Sequence, residues 1–258
     1  MLFRSFSLKG KVALITGSTK GIGKSIAEEM ANAGAKVVIS SRKADACEAV
    51  AKEFAARGQE ALAVPCNVGD KLAAQNLVDT VMKKWGRIDS LVCNAASNPH
   101  FGPLATASDE VFDKIMQTNV KSVFWLANMV LPQMAERGEG GSMIIISSIG
   151  ALRGSQVLGL YGTSKAAEAG LARALAVQWG DKNIRVNTIL PGLVKTDFAK
   201  ALWSDENRLK SREAATPLRR IGQPKDIGGV AAFLACEAGA FVTGQMIVVD
   251  GGVTVSGS

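Results

Sequence analysis

A short apolar run, Val12-Ala13-Leu14-Ile15, ends in Thr16-Gly17-Ser18-Thr19-Lys20-Gly21-Ile22-Gly23, and a helix-period pattern then runs through Ala33 to a stop at Gly34. No other stretch restricts the fold as much. A buried strand, a glycine-rich turn and a helix form an arrangement that receives phosphate, because glycines let backbone N–H groups approach a pyrophosphate and a helix N-terminus favours negative charge. The spacing is Gly-x-x-x-Gly-x-Gly rather than the commoner Gly-x-Gly-x-x-Gly. A tight turn without a ligand is the alternative reading, and the strand–turn–helix context argues against it.

The same alternation continues along the chain. Lys36–Ser41, Glu60–Cys66, Ser90–Cys93, Ser142–Ser147, Ile184–Leu190 and Met246–Val249 read as further strands. Helical patterns cover about 45–56, 71–85, 109–135, 161–179 and 224–236, the long one open to interruption near Asn119, a poor helix-interior residue. Strands alternating with helices predict an α/β fold: one Rossmann-like, doubly wound parallel sheet of about seven strands with helices on both faces. With no linker, repeat or low-complexity segment, residues 1–258 read as a single domain. The charged segment Leu193–Thr216 reads as irregular, and its length is that of a lid over an active site, or of a plain surface excursion.

The end of the second strand bears on the ligand. Where an acidic residue would hold a ribose 2′-hydroxyl, this chain has Ser41-Arg42. A guanidinium cannot accept from that hydroxyl but binds a 2′-phosphate well, and Lys20 in the turn could face the same group. Unless both are merely solvated surface charges, NADP(H) is favoured over NAD(H).

The formal net charge of +7 leaves nucleic acid, membrane surface and anionic ligand open as partners. The basic residues are scattered, and aromatics make up only 5%, poor material for stacking on bases, so a small phosphorylated ligand accounts for the charge best. Four cysteines without a Cys-x-x-Cys pair read as small buried apolar groups in a reducing compartment. A single histidine, His100, excludes a multi-histidine metal site, and its loop position suits the surface or a substrate rim. No apolar run approaches the ~20 residues of a membrane span, and no secretory pattern opens the chain, so a soluble, cytoplasmic protein without membrane partners is expected.

Tyr161-Gly162-Thr163-Ser164-Lys165 contains the only tyrosine, with a lysine one helical turn on. A phenol titrates near pH ~10. A cation close by favours its ionised form and fits it for proton transfer. In isolation such a pair is more often a ring packed under a solvated amine.

Taken with Asn94-Ala95-Ala96, Asn119, Ser148 thirteen residues before Tyr161, Pro191-Gly192 and the terminal Val249-Asp250-Gly251-Gly252, the chain resembles the short-chain dehydrogenase/reductase family in its compact form, nearly end to end. The resemblance implies oxidoreduction between a carbonyl and a secondary alcohol. It makes Tyr161 the general acid or base. Lys165 holds the nicotinamide ribose and lowers the Tyr161 pKa, Ser148 bonds the substrate oxygen, and Asn119 breaks the long helix and orders a water. It places Gly17, Ser18, Lys20, Gly21, Ile22 and Gly23 around the pyrophosphate. Ser41 and Arg42 fall at the 2′-phosphate, Asn67 and Val68 at the adenine, and Asn94 and Ala95 against the adenosine ribose. Pro191, Gly192, Val194 and Thr196 edge the nicotinamide. It also implies a homotetramer. Asn67 replaces an Asp and Ala96 a Gly found in many members, neither change touching the catalytic set. A dinucleotide-binding regulatory or scaffold protein with little catalysis is the competing class, and its usual sign, a lost Ser, Tyr or Lys, is absent.

Overall fold

The computed structural model describes residues 4–256. In chain order the elements are β1 (Val12–Thr16), α1 (Gly21–Asn32), β2 (Lys36–Ser40), α2 (Ala44–Ala56), β3 (Ala61–Ala63), α3 (Lys71–Trp85) and β4 (Ser90–Cys93). There follow α4 (Asp109–Met116), α5 (Ser122–Arg137), β5 (Gly141–Ile146), α6 (Gly159–Trp179), β6 (Ile184–Pro191), α7 (Lys200–Trp203), α8 (Glu206–Ala215), α9 (Pro224–Ala235) and β7 (Met246–Val249). The expected third strand is shorter than its apolar pattern, and Leu193–Thr216 is not irregular, since α7 and α8 lie within it. Asp205 caps α8 by accepting from the Arg208 N–H, a local signal that the charge density of the segment obscures.

The seven strands form one sheet in the order β3-β2-β1-β4-β5-β6-β7, every pair parallel. Side-chain alternation explains its two covered faces. Val12 and Leu14 enter the core with α3, α5 and α6, whereas Ala13 and Ile15 enter the core with α1, α2 and α9. All five β1 residues are buried, as a central parallel strand requires. Each fully buried Leu or Ile contributes about 1.5–3 kcal/mol of transfer free energy.

Strand order reverses direction between β1 and β4. The chain leaves β1 toward β2 on one side and leaves β4 toward β5 on the other, which opens a crevice at the carboxyl ends of these strands. Helix signals fix the helices that flank it. Asp70 caps α3 through the Leu72 and Ala73 N–H groups, and Gly86 ends α3 in the left-handed conformation at φ 69°. At the opposite, amino-terminal edge of the sheet, Asp89 precedes β4. Its two oxygens accept four hydrogen bonds, from Val12 N–H, two Arg87 nitrogens and Arg137.

Candidate active site

The turn after β1 is built for close approach by backbone. Gly17 and Gly21 have φ 67° and 57°, which L side chains avoid. A Cβ on Gly23 would lie 2.3 Å from the Gly17 carbonyl oxygen. One on Gly21 would meet the Thr196 side chain at 3.2 Å, so the turn is crowded by its own backbone on the inner side and by Thr196 on the other. Asn94 closes the inner side: its Nδ2 donates to the Thr16 and Gly17 carbonyls at 2.9 and 3.1 Å, and Thr16 Oγ1 accepts from the Asn94 and Ala95 N–H groups. This cradle fits a pyrophosphate, with the N-terminus of α1 at its edge. Ile22 faces inward against the apolar core.

Ser18 is turned away from the cradle. It is fully buried, its N–H donates to the Ser40 carbonyl, and its hydroxyl donates to the Ile15 carbonyl while accepting from the Ser40 N–H. Its polar groups therefore tie β1 to β2 and are spent on the sheet. Lys20 is also placed differently from the sequence expectation. Its Nζ pairs with Asp197 at 2.9 Å, joining the cradle to the segment after β6. Arg42 is exposed just past β2, with no carboxylate at the strand end and Lys43 beside it. Ser41 begins a small turn in which its hydroxyl accepts from the Lys43 N–H.

On the next loop, Asn67 is exposed and its Oδ1 accepts from the Gly69 N–H, while Val68 is buried. Pro191 ends β6, and the Gly192 N–H donates to the Val249 carbonyl. A Cβ on Gly192 would sit 2.8 Å from Asp250, so only glycine allows that approach. Val194 is buried and Thr196 is partly buried along the same edge.

Asn119 lies where α4 passes into α5 through a π-turn, Gln117–Lys121. The interruption is a widened turn rather than a broken helix, a form common at functional sites. The Asn119 side chain is fully buried and committed. Its Oδ1 accepts from the Ser97 N–H at 2.8 Å, and its Nδ2 donates to the Ser97 carbonyl and to Ser164 Oγ at 3.1 and 2.9 Å. Its side chain thus clamps the loop after β4 to α6. Ser164 passes the clamp on by donating to the Tyr161 carbonyl at 2.7 Å.

Tyr161 and Lys165 share one face of α6 at the carboxyl edge of the sheet, with Lys165 Nζ 5.4 Å from the phenol ring centroid. Ser148 follows β5, its hydroxyl accepts from the Gly150 N–H, and it also acts on the phenol, favouring ionisation. The expectation of a depressed Tyr161 pKa needs correction. Burial is the largest effect and holds the phenol above its ordinary value; Lys165 does favour the phenolate, as expected, but does not outweigh burial, to which Glu168 adds. Glu168 was not legible as a site residue. Its Oε1 accepts from Lys165 Nζ at 2.8 Å, and both side chains are only 2% exposed. The available signal was a lone carboxylate three residues after Lys165 on a face that continues with Ala169 and Ala172. Burial works against the Lys165 charge, yet the Glu168 carboxylate prevails and raises the amine above its ordinary value. Burial likewise raises Glu168, to about 7, against the pull of Lys165.

The segment after β6 covers this assembly. The Phe198 ring centroid lies 6.1 Å from that of Tyr161, and Trp203 Nε1 donates to the Thr196 carbonyl at 3.0 Å, which folds α7 back on the strand end. Across the opening, His100 Nε2 pairs with Thr106 Oγ1 at 2.9 Å, and the Gly102 N–H donates to the Val157 carbonyl just before α6. Among the described residues no cluster of three or more His, Cys, Asp or Glu has metal-binding geometry, and no helix is long and apolar enough to cross a membrane.

Comparisons with known proteins agree with this architecture. A family model described as enoyl-(acyl carrier protein) reductase matches residues 17–254. The dehydrogenase/reductase SDR family member 4 of Sus scrofa is 42% identical over 245 residues, covering 95% of this chain and 88% of its own. The structure of a gluconate 5-dehydrogenase from Burkholderia cenocepacia, in complex with NADP and tartrate, superposes with TM-score 0.93 at 32% identity over 98% of both chains. A 7α-hydroxysteroid dehydrogenase complexed with NADH and 7-oxo glycochenodeoxycholic acid superposes with TM-score 0.92 at 38% identity, again over 98% of both chains. The cradle, the crevice and the Ser148, Tyr161 and Lys165 cluster thus sit in an oxidoreductase scaffold that binds nicotinamide dinucleotides, and the chain belongs to the short-chain dehydrogenase/reductase family.

Proposed function

We propose that this chain interconverts a ketone or other carbonyl with a secondary alcohol, using NADP(H) in preference to NAD(H). The observation that carries the proposal is the placement of Tyr161, beside both Ser148 and Lys165, at the sheet edge that also bears the glycine cradle. The bound dinucleotide supplies or accepts the hydride. In the reducing direction the Ser148 hydroxyl donates to the substrate oxygen and Tyr161 delivers a proton to it. In the reverse direction Tyr161 accepts that proton. Lys165 holds the nicotinamide ribose hydroxyls, and its ammonium stabilises the phenolate that proton delivery leaves behind. Asn119 keeps this group in register through Ser164.

The remaining assignments follow from the same edge. Gly17, Gly21 and Gly23 hold the pyrophosphate, Asn94 and Ala95 border the adenosine ribose, and Pro191, Gly192, Val194 and Thr196 border the nicotinamide. Asn67 offers the adenine its amide NH2, because its oxygen is engaged by the Gly69 N–H. Arg42 receives the 2′-phosphate, with Lys43 adjacent, and Lys20 joins only by exchanging Asp197 for that group. The segment 193–216 is the substrate lid. Exposed Phe198 above Tyr161 and exposed Leu104 across from Gly159 favour a carbonyl carried on an apolar or aromatic frame.

A homotetramer is part of the proposal. Edge strand β7 exposes Met246 and Val248, with Val177 and Phe241 also exposed, and α4 and α5 expose Phe112 and Phe124. Such apolar surface on a sheet edge is suited to burial against further copies. Four singly buried cysteines fit a reducing, cytoplasmic setting.

The test is dinucleotide oxidation across a panel of ketones, with Tyr161→Phe as control. Retention of the full rate by that variant would refute the mechanism. Arg42→Ala should weaken NADPH binding by about 10- to 100-fold, the size of one lost charge-assisted hydrogen bond, and leave NADH binding nearly constant. Equal loss for the two cofactors removes the 2′-phosphate assignment.

A further inference from the structure

Hydride transfer through Ser148, Tyr161 and Lys165 does not itself require a carboxylate beneath the lysine. Glu168 is nevertheless there, buried, and an apolar residue would avoid the desolvation cost of a second buried charge. Its Oε1 takes one Lys165 proton at 2.8 Å, while another Lys165 proton goes to the Ile146 carbonyl at 3.0 Å. Its Oε2 is buried and has no hydrogen-bond partner among the described residues. The groups that face it are the Lys165 ammonium and Tyr161 phenol on α6, the Cys93 thiol on β4 and the Ser147 hydroxyl just after β5. Ser147 spends its proton on the Lys165 carbonyl at 2.9 Å. Lys165 is thus the one cation in this group.

Building on the proposed function, we propose that Glu168 is a positioning residue that fixes Lys165 Nζ between Oε1 and the Ile146 carbonyl and, by gaining or losing its own proton, switches how much of the lysine charge reaches Tyr161. With Glu168 ionised, the pair is neutral as a unit and the phenol receives little net help. With Glu168 protonated on its unpartnered oxygen, the ammonium acts uncompensated and Tyr161 becomes the stronger acid. Carbonyl reduction, in which Tyr161 donates, then gains as pH falls through neutrality, where Glu168 takes up its proton.

The test is the pH profile of kcat/KM for carbonyl reduction in the full-length wild type, Glu168→Gln and Glu168→Asp, with Tyr161→Phe assayed alongside. Glutamine keeps the acceptor for Lys165 and removes the ionisation. The wild type should lose about tenfold in rate as pH rises across neutrality, the effect of a one-unit change in the acidity of Tyr161. Glu168→Gln should abolish that step and hold its rate level over the same range. Glu168→Asp should restore a step at a displaced pH, which a purely structural role would not produce. A Glu168→Gln profile superimposable on the wild type overturns the inference, as does a wild type with no ionisation near neutrality. An active Tyr161→Phe instead overturns the underlying mechanism, so the two failures are distinguishable.

Discussion

Two buried carboxylates, at opposite edges of one sheet, are treated in opposite ways. Asp89, at the amino-terminal edge, is 6% exposed and has every lone pair it needs engaged, by Arg87, Arg137 and the Val12 N–H, with Lys11 at 3.7 Å. Burial works against its charge, but these donors outweigh burial and hold its pKa below the ordinary aspartate value. Glu168, at the carboxyl edge, has one cation, one engaged oxygen and one oxygen without a partner among the described residues, and its pKa is raised to about 7. Surplus donors make the first site a fixed clamp between the α3–β4 loop, β1 and α5. A deficit of donors leaves the second able to change charge beside the proposed proton donor. The same carboxylate chemistry serves stability at one edge and, in the role proposed for Glu168, reactivity at the other, and the number of donors decides which.

Variants can break this contrast. The largest effect belongs to the reactive edge: Tyr161→Phe should lower turnover by about 10²–10⁴ while the urea midpoint stays at the wild-type value. Asp89→Asn should do the converse. It removes the buried anion that Arg87 and Arg137 share, leaving them only half-exposed Glu139, and should cost up to about 3 kcal/mol of stability by denaturant titration, with turnover per folded molecule preserved. A variant in which both quantities fell together would erase the division between the edges.

The pH dependence of stability sharpens the contrast. Asp89 binds protons more weakly when folded, so its contribution is present above the unfolded value and is lost as pH falls through the depressed folded value. Glu168 binds its proton more tightly when folded, so its contribution is complete below 4.5 and is lost as pH rises through about 7. Chemical denaturation over this range should show Asp89→Asn flattening the acid limb and Glu168→Gln flattening the fall toward neutrality. The smallest expected effect is that of Phe198→Ala. Loss of the tilted ring contact over Tyr161, worth about 1 kcal/mol, should raise KM for an aromatic ketone roughly fivefold and leave both carboxylate-linked profiles in place.

Much of this molecule can be read from local pattern. The β1–turn–α1 unit was legible because its demands are local: apolar residues for a strand buried on both faces, and glycines where backbone must turn at φ 67° and 57°. Tyr161 and Lys165 were legible because helical spacing alone sets them on one face. The interruption at Asn119 was legible as a weak point in a helix, but its form, a π-turn with the side chain clamping Ser97 and Ser164, depends on a loop and a helix distant in sequence. The segment 193–216 was legible only as length and charge, and its two helices were hidden by a sequence with little apolar period.

The chain's own order of residues therefore determined the alternation of strands and helices, the glycine turn and the spacing of Tyr161 and Lys165, since each depends on neighbours within a few turns. Tertiary structure alone decided what those groups meet. It turned Ser18 into the sheet and Lys20 toward Asp197, set Phe198 over Tyr161, and buried Glu168 against Lys165. Electrostatics explains the divide. A side chain's charge state is set by the solvent excluded around it as well as by its local donors, and that exclusion, like the Val12 and Arg137 donors at Asp89, comes from segments far apart in the chain.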